Sequence, residues 1–367
     1  MRVAFDEQIF AIQHYGGISR QFFELAKQFL GHPEFDVALQ PLNAPIVNRY
    51  VLDAPHLAQA LNVKAVKSSY RALAHFFTHM RPTGATPSGP VEVLHSTFYL
   101  PHGLTGYRGA RRVVTVHDMI PELLPKTRRR LDLLTLKRRY VFQADHVICV
   151  SEATRQDLLR TYGDIPAPIS VVHHGVDPLF QPGAPRWPEL PDRYVLFVGN
   201  RGQYKDAGVL LRAFAAIAEG DPDLTLLFVG GGPFTAAEQR VIRELGLDRR
   251  IRHLALSDQQ MSAAYGNAEV CVFPSRFEGF GFPALESMAC GSPTVLADTS
   301  SLPEVGGSAA RYFRVGDAED LAGVLRELLG DDEQRIDLCQ AGIERAAKFT
   351  WEESARQTAA IYASLLK

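Results

Sequence analysis

Nowhere does the chain hold an apolar run long enough to cross a bilayer as a helix, which takes about 20 consecutive apolar residues, so no membrane-spanning helix is expected. Cysteine is scarce: four in 367 residues, Cys149, Cys271, Cys290 and Cys339. None has metal-ligand spacing, which excludes a zinc knuckle, and their scatter excludes a disulfide framework. Cys149 and Cys271 sit inside apolar runs and read as small buried hydrophobes. The first strand-like run is not followed by G-x-G-x-x-G, which argues against a nicotinamide oxidoreductase. No D-x-D pair stands at a suitable strand end, so no obligatory metal is expected. The start lacks the basic, apolar, small-residue order of a secretory leader, which gives a cytoplasmic protein as the expectation. Large net charge is absent too, the formal balance being -2. It is unevenly spread: residues 1–180 carry 20 Lys+Arg and 15 Asp+Glu, the remainder 19 and 26. The basic half favours an anionic partner. No nucleic-acid-binding module accompanies that charge, so nucleic acid is not an expected partner.

What is present is an alternation of short β-rich runs with amphipathic helical runs, the mark of parallel α/β units. In the second half, Tyr194 to Val198 reads as a buried strand and Val209 to Ala218 as a helix with Leu210, Phe214 and Ile217 on one face. Strands follow at Leu224 to Val229, Ile251 to Leu254, Val270 to Phe273 and Thr294 to Ala297. Helices are expected at Ala236 to Leu245 and Pro283 to Ala289. In the first half, Met1 to Phe10 reads as a strand region with its regular part at Arg2 to Phe5. A helix is expected from Ser19 to Leu30, with further strands at Val91 to His95, Arg112 to Val116 and His146 to Val150. Residues 54–89 read as helix plus loop. The proline-dense stretch PLFQPGAPRWPELP interrupts helix and ladder alike. The domain reading is therefore 1–177, a linker at 178–190, a second domain at 191–350, and a last helix over 351–367.

One string concentrates the chemistry: PSRFEGFGFPALESMACGSP, Pro274 to Pro293. It begins where a buried strand ends, the place where open α/β sheets bind ligands. Glu278 lies in that loop. Gly279 and Gly281 permit close backbone approach, and the helix that starts at about Pro283 aims its N–H groups and positive dipole at the same place. Glu286 lies about one turn into that helix. One carboxylate can read a sugar, the helix start a phosphate, and the second carboxylate a ribose. Taken singly, each glutamate would be an ordinary turn or surface residue.

The string resembles the E-x7-E signature of glycosyltransferase family four, retaining enzymes of the GT-B fold. Six more pieces agree in order: YGGISR (Tyr15 to Arg20), VVTVHDMIPELLP (Val113 to Pro125), ADHVICVSEATRQDL (Ala144 to Leu158), HHGVD (His173 to Asp177), VGNRGQYKD (Val198 to Asp206) and SLPEVGG (Ser301 to Gly307). The resemblance covers nearly the whole chain and is nearest to the branch that builds bacterial surface polysaccharides, often from mannose donors. It implies two Rossmann-like domains facing across a cleft, with acceptor on the first domain, nucleotide on the second, and the final helix crossing back to the first.

Site roles follow from the same resemblance. Gly16 and Gly17 face the diphosphate and transferred sugar. His117 borders the reacting sugar without acting as nucleophile or metal ligand. Lys205 grips the diphosphate. The family pattern has arginine directly before this lysine, where this chain has Tyr204, and Arg201 in the same loop is the expected substitute. Gly281 and Phe282 complete the diphosphate site, Glu278 orients the hexose, Glu286 binds ribose, and residues His253 to Ser257 line the base pocket. Asp118, Arg128, Arg129 and Arg130 are expected on the acceptor side. The basic, leucine-bearing run Lys126 to Tyr140 reads either as a core-packing helix with a solvated face or as a peripheral surface for an anionic membrane or lipid-diphosphate acceptor. The implied activity moves a hexose, with GDP-mannose favoured, to a saccharide or lipid-linked saccharide, with no cofactor beyond the nucleotide sugar. A nucleotide-sugar epimerase of the same architecture and a non-catalytic nucleotide-sugar-binding protein are the alternatives.

Overall fold

The computed structural model describes residues 1–67, 90–100, 107, 109–124 and 131–367. By their contacts they separate into two compact units, Met1–Gly175 with Trp351–Lys367, and Val176–Thr350.

In the first unit six parallel strands, β1 (Arg2–Phe5), β2 (Ala38–Leu39), β5 (Val93–Ser96), β6 (Arg111–Val116), β7 (His146–Cys149) and β8 (Ile169–Val171), form a sheet in the order β2-β1-β5-β6-β7-β8. A small separate pair, β3 (Pro45–Ile46) and β4 (Lys64–Ala65), lies outside it. The central strands are buried on both faces, as parallel sheets covered by helices require, although they carry His95 and Ser96 in β5 and His146 in β7. The strand region expected over Met1 to Phe10 stops at Phe5; Gln8–Ile12 is helical. Asp6 ends the strand. Its carboxylate takes the hydroxyl of Thr97 at 2.5 Å, the N–H of Thr97 at 3.1 Å and the Gln8 carboxamide at 2.6 Å, which turns the chain before Ile9, Phe10 and Ala11 can continue the ladder.

The last helix, Trp351–Ser364, belongs to this unit's core. Ala355, Ala359, Ile361 and Tyr362 share one buried cluster with Val3, Phe5, Phe22 and Leu25. Its polar anchor is Tyr362, whose hydroxyl lies 2.6 Å from His95 Nδ1, while His95 Nε2 lies 2.8 Å from Thr115 Oγ1. Burial, with a smaller push from His146, lowers the His95 pKa to about 3, so the ring is neutral and can satisfy both hydroxyls.

The second unit repeats the plan with β9 (Arg193–Val198), β10 (Leu224–Val229), β11 (Ile251–Leu254), β12 (Val270–Phe273), β13 (Thr294–Ala297) and β14 (Arg311–Phe313), all parallel, in the order β11-β10-β9-β12-β13-β14. Counted from the first strand this is 3-2-1-4-5-6, the doubly wound order in which ligands sit beyond the carboxyl ends where the winding reverses. That point lies between β9 and β12. The helix Ala207–Ala218 buries Val209, Leu210, Ala213 and Phe214, and packs against the helix Ala318–Leu329. The proline-dense stretch 178–190 holds no helix or strand and clusters with this unit, with Phe180 edge-on to Tyr265 at 5.8 Å between centroids.

Candidate active site

At the reversal point of the second sheet the loops after β9 and β12 meet through a largely buried ion pair. Lys205 Nζ lies 2.6 Å from Glu278 Oε1, and each side chain is only 12% exposed. Burial works against the ammonium, but the Glu278 carboxylate outweighs it, and the Lys205 pKa is raised on balance. The lysine is therefore held charged. The Glu278 main chain is fixed as well: Ser300 Oγ donates to its carbonyl at 2.7 Å, and Ser301 Oγ reaches the carbonyls of Glu278 at 3.0 Å and Phe280 at 2.9 Å. Behind the pair, the Arg276 N–H bonds the Tyr204 carbonyl at 2.7 Å and its guanidinium bonds Asp206 at 2.6 Å, lashing the two loops together. Ser300, Ser301, Arg276 and Asp206 were not read from the sequence. Single serines and charged residues within or beside a motif carry no signal of their own, although Ser301 opens the matched SLPEVGG segment and Ser300 directly precedes it.

Gly281 opens the helix Phe282–Ala289 with φ 104°, in the left-handed region that favours glycine. A Cβ there would stand 3.2 Å from Leu302 Cδ2. The helices after β10 and β11 begin with complete capping boxes at Thr235 and Ser257, whereas the N-caps Asp206 and Gly281, beside the ion pair, supply no side-chain cap. One such helix start directly follows Lys205 and the other lies three residues after Glu278, an arrangement suited to an anion. Glu286 lies in the same helix, 8% exposed, with Tyr265 Oη donating to it at 3.0 Å.

Arg201 is placed differently from the expectation of a free diphosphate cation. Its Nε pairs with Glu238 Oε1 at 2.7 Å, and its terminal nitrogens reach the carbonyls of Gly230 (3.0 Å), Gly232 (2.9 Å) and Pro233 (3.0 Å). The guanidinium also stacks on Phe234, 4.6 Å from the ring centre. It is joined to the glycine loop after β10, while Lys205 alone of the two is joined to Glu278. From the expected base pocket, His253 Nε2 donates to the same Gly230 carbonyl at 3.0 Å.

In the first unit the winding reverses between β1 and β5, where Asp6 and Thr97 interlock. Gly16 caps the helix Gly17–Gly31, but the space its missing Cβ leaves is taken by Gln13: a Cβ would fall 2.3 Å from Gln13 Nε2. Gln13 Oε1 accepts the N–H of Ser19 in that helix's first turn at 3.0 Å. His117, at the carboxyl end of β6, is 9% exposed, and its Nε2 has no partner among the described residues. Burial, then His95 and Lys137, lowers its pKa to about 3. A neutral imidazole with one unanswered nitrogen suits a ligand hydroxyl. Asp118 accepts the Ile120 N–H at 3.0 Å, capping the turn that follows. Lys137, in the basic run, is not on a solvated or lipid-facing surface. It is buried against Glu122 at 3.2 Å, each 5–6% exposed, and bonds the Asp118 carbonyl, so it braces the His117–Asp118 segment. In the V-S-x-x-T piece, Ser151 caps the helix Glu152–Tyr162 by accepting the Thr154 N–H at 3.0 Å. Arg128, Arg129 and Arg130 lie outside the described residues.

With this geometry in view, comparison with known proteins decides the family. The description "Glycosyltransferase Family 4" matches residues 15–179 and "Glycosyl transferases group 1" residues 186–345. The MMP alpha-(1->4)-mannosyltransferase of Mycolicibacterium hassiacum is 31% identical over 75% of this chain and 71% of its own length. This chain belongs to glycosyltransferase family four. A D-inositol 3-phosphate glycosyltransferase of Corynebacterium aurimucosum is 32% identical over 69% of the chain, and the chain spans just under two thirds of that relative, 64%. Among solved structures, Anabaena HepE in complex with UDP and glucose superposes with a TM-score of 0.70 at 19% identity, over 99% of this chain and 100% of that one. The two parallel-sheet units are those of the GT-B fold. Among the described residues no helix is long and apolar enough to cross a membrane, and no group of three or more His, Cys, Asp or Glu could hold a metal ion.

Proposed function

We propose that this family-four glycosyltransferase is a retaining hexosyltransferase that moves a hexose from a nucleoside diphosphate to a hydroxyl of a saccharide or lipid-linked saccharide in surface polysaccharide synthesis, with GDP-mannose the favoured donor. The observation that carries the reading is the Lys205–Glu278 pair at the reversal point of the second sheet. A charged ammonium beside two uncapped helix starts suits a diphosphate. The carboxylate next to it suits the hydroxyls of the attached sugar. Glu286 would take the ribose, and the backbone around His253 to Ser257 the base. On the first unit, His117 would bond a hydroxyl of the transferred sugar, Gly16 and Gly17 would border it, and Asp118 with Arg128, Arg129 and Arg130 would serve the acceptor and an anionic membrane surface at the inner face. The mannosyltransferase among the relatives supports mannose, and the inositol-phosphate enzyme supports a polyol hydroxyl as nucleophile.

In the step proposed, the acceptor oxygen attacks the anomeric carbon on the face from which the phosphate oxygen departs. The new C–O bond forms as the bond to the diphosphate breaks, the acceptor proton passes to the departing phosphate oxygen, and the nucleoside diphosphate leaves. Charge develops on that oxygen, so a fixed cation stabilises the transition state more than the ground state. The test is a thermal-shift panel of GDP-, UDP-, ADP- and dTDP-sugars with donor hydrolysis measured beside it. A donor at about 100 times its dissociation constant adds about 2.7 kcal/mol of stability. Stabilisation by one nucleotide sugar with slow hydrolysis is expected. An isomerised sugar nucleotide without acceptor would make the chain an epimerase, and binding without turnover a non-catalytic binder.

A further inference from the structure

The Gly230-Gly231-Gly232 turn is held in a costly conformation by a side chain that belongs to another loop. All three glycines have positive φ, 88°, 73° and 69°. Glycine loses more conformational freedom on ordering than any other residue, so three in succession stay in one left-handed turn only when something fixes them. Residues of one hand in succession turn their carbonyls one way and their N–H groups the other, as a helical turn does. Here the carbonyl side is wrapped around one guanidinium: Gly230, Gly231, Gly232 and Pro233 all offer oxygens to Arg201, at 3.0, 3.4, 2.9 and 3.0 Å. The Arg201 side chain is 5% exposed, its charge is answered by Glu238, and Phe234 closes its open face. A second grip comes from His253 on the Gly230 carbonyl. The N–H groups of Gly231 and Gly232 bond nothing among the described residues. A Cβ on Gly231 would stand 3.0 Å from Arg201 Nη1 and from the Asn200 Cα, so the fit is tight from both sides.

We infer that Arg201 is a positioning residue for the donor: it does not meet the diphosphate but moulds the Gly230–Pro233 turn, whose outward N–H groups then form part of the nucleotide site beside Lys205. This rests on the reading that the second unit takes the donor. The chemistry is specific to a guanidinium. Its planar fork satisfies several carbonyls at once, which a lysine ammonium on a flexible stem cannot reproduce. A diphosphate-binding cation, by contrast, acts largely as a charge, and lysine would restore much of its effect.

The experiment compares Arg201→Ala and Arg201→Lys with the wild-type protein in two measurements. The first is the backbone order of the turn in the protein without ligand, read from NMR relaxation of the Gly230, Gly231, Gly232 and Phe234 amides, which needs no substrate. Both variants are expected to lower the order parameters of those amides from the rigid range, about 0.85, to below about 0.6, with β9 and β10 unchanged; order equal to wild type in either variant overturns the inference. The second is the dissociation constant for GDP and UDP with kcat and KM for the accepted nucleotide sugar. Both variants are expected to weaken nucleotide binding and raise KM about tenfold, with kcat within threefold. A fall in kcat that Arg201→Lys rescues would show a cation acting on the diphosphate and overturn the inference. Absence of any nucleotide binding by the wild-type protein would instead count against the proposed donor reading, and the relaxation result would still decide whether Arg201 moulds the turn.

Discussion

The two sheets place different electrostatics at equivalent points. Where the winding of the second sheet reverses, Lys205 and Glu278 form a charge pair with the lysine pKa raised on balance, against burial, by its carboxylate partner. At the carboxyl edge of the first sheet, burial drives the groups towards neutrality. Asp6 is raised to about 6 by burial against four hydrogen bonds from Thr97 and Gln8, Glu7 is raised to about 7 by burial and by Asp6, and His117 is lowered to about 3. One edge is built to keep charge in place and the other to suppress it. The first suits a diphosphate, and the second suits uncharged hydroxyls, which are read by hydrogen bonds and not by fields.

The sharpest way to break this contrast is to discharge the charged edge. Lys205→Ala and Glu278→Ala are each expected to lower turnover by about a hundredfold or more, the scale seen when a preorganised group that meets developing charge is removed. Because the two residues form one unit, the double variant should lose little more than the worse single variant. Steady-state rates with saturating donor check both statements. Near-wild-type turnover in both single variants would leave the ion pair a structural clamp and take away its part in transfer.

The contrast was only half legible in the residues. Lys205, Glu278 and Gly281 could be placed together because their positions follow from strand ends in a strongly periodic α/β pattern, and a buried strand announces itself by its apolar run. The partner of Arg201 could not be read, since a guanidinium in a loop looks the same whether it faces solvent, a phosphate or four carbonyls; the choice is made by Gly230 to Pro233, about thirty residues further on. Lys137 misleads for a similar reason. Its neighbours Arg138 and Arg139 are exposed, and only the burial of Glu122 opposite explains why one lysine of a basic run turns inward. The regular strand falls at Arg2 to Phe5 as expected, whereas the wider strand region to Phe10 does not hold, because Ile9 and Phe10 are as apolar as the strand before them. A Thr97 contact ninety-one residues away stops the ladder there.

A smaller effect is expected at the neutral edge. His117→Ala removes one hydrogen bond from an uncharged ring, worth about 1 kcal/mol or roughly five- to tenfold in kcat/KM. Since His117 titrates near pH 3, the pH profile of the variant should run parallel to that of the wild type above pH 5. A change in the profile's shape there would make the imidazole a proton carrier and erase the distinction between the two edges.

The last prediction concerns stability and tests suppression of charge directly. In the unfolded chain Glu7 ionises near its ordinary value of about 4.3, whereas in the folded protein it holds its proton to about pH 7. Between these values the folded state binds more protons than the unfolded one, so stability falls as pH rises. The contribution is complete below about pH 4.3 and is lost as pH climbs through 7, at most about 4 kcal/mol. Asp6, raised to about 6, acts in the same direction. Urea unfolding of wild type and Glu7→Gln between pH 4.5 and 8 should show the variant with the shallower decline, its remaining slope being that of Asp6. Identical slopes would mean that Glu7 stays ionised in the fold, and the first edge would then carry charge where the comparison requires none.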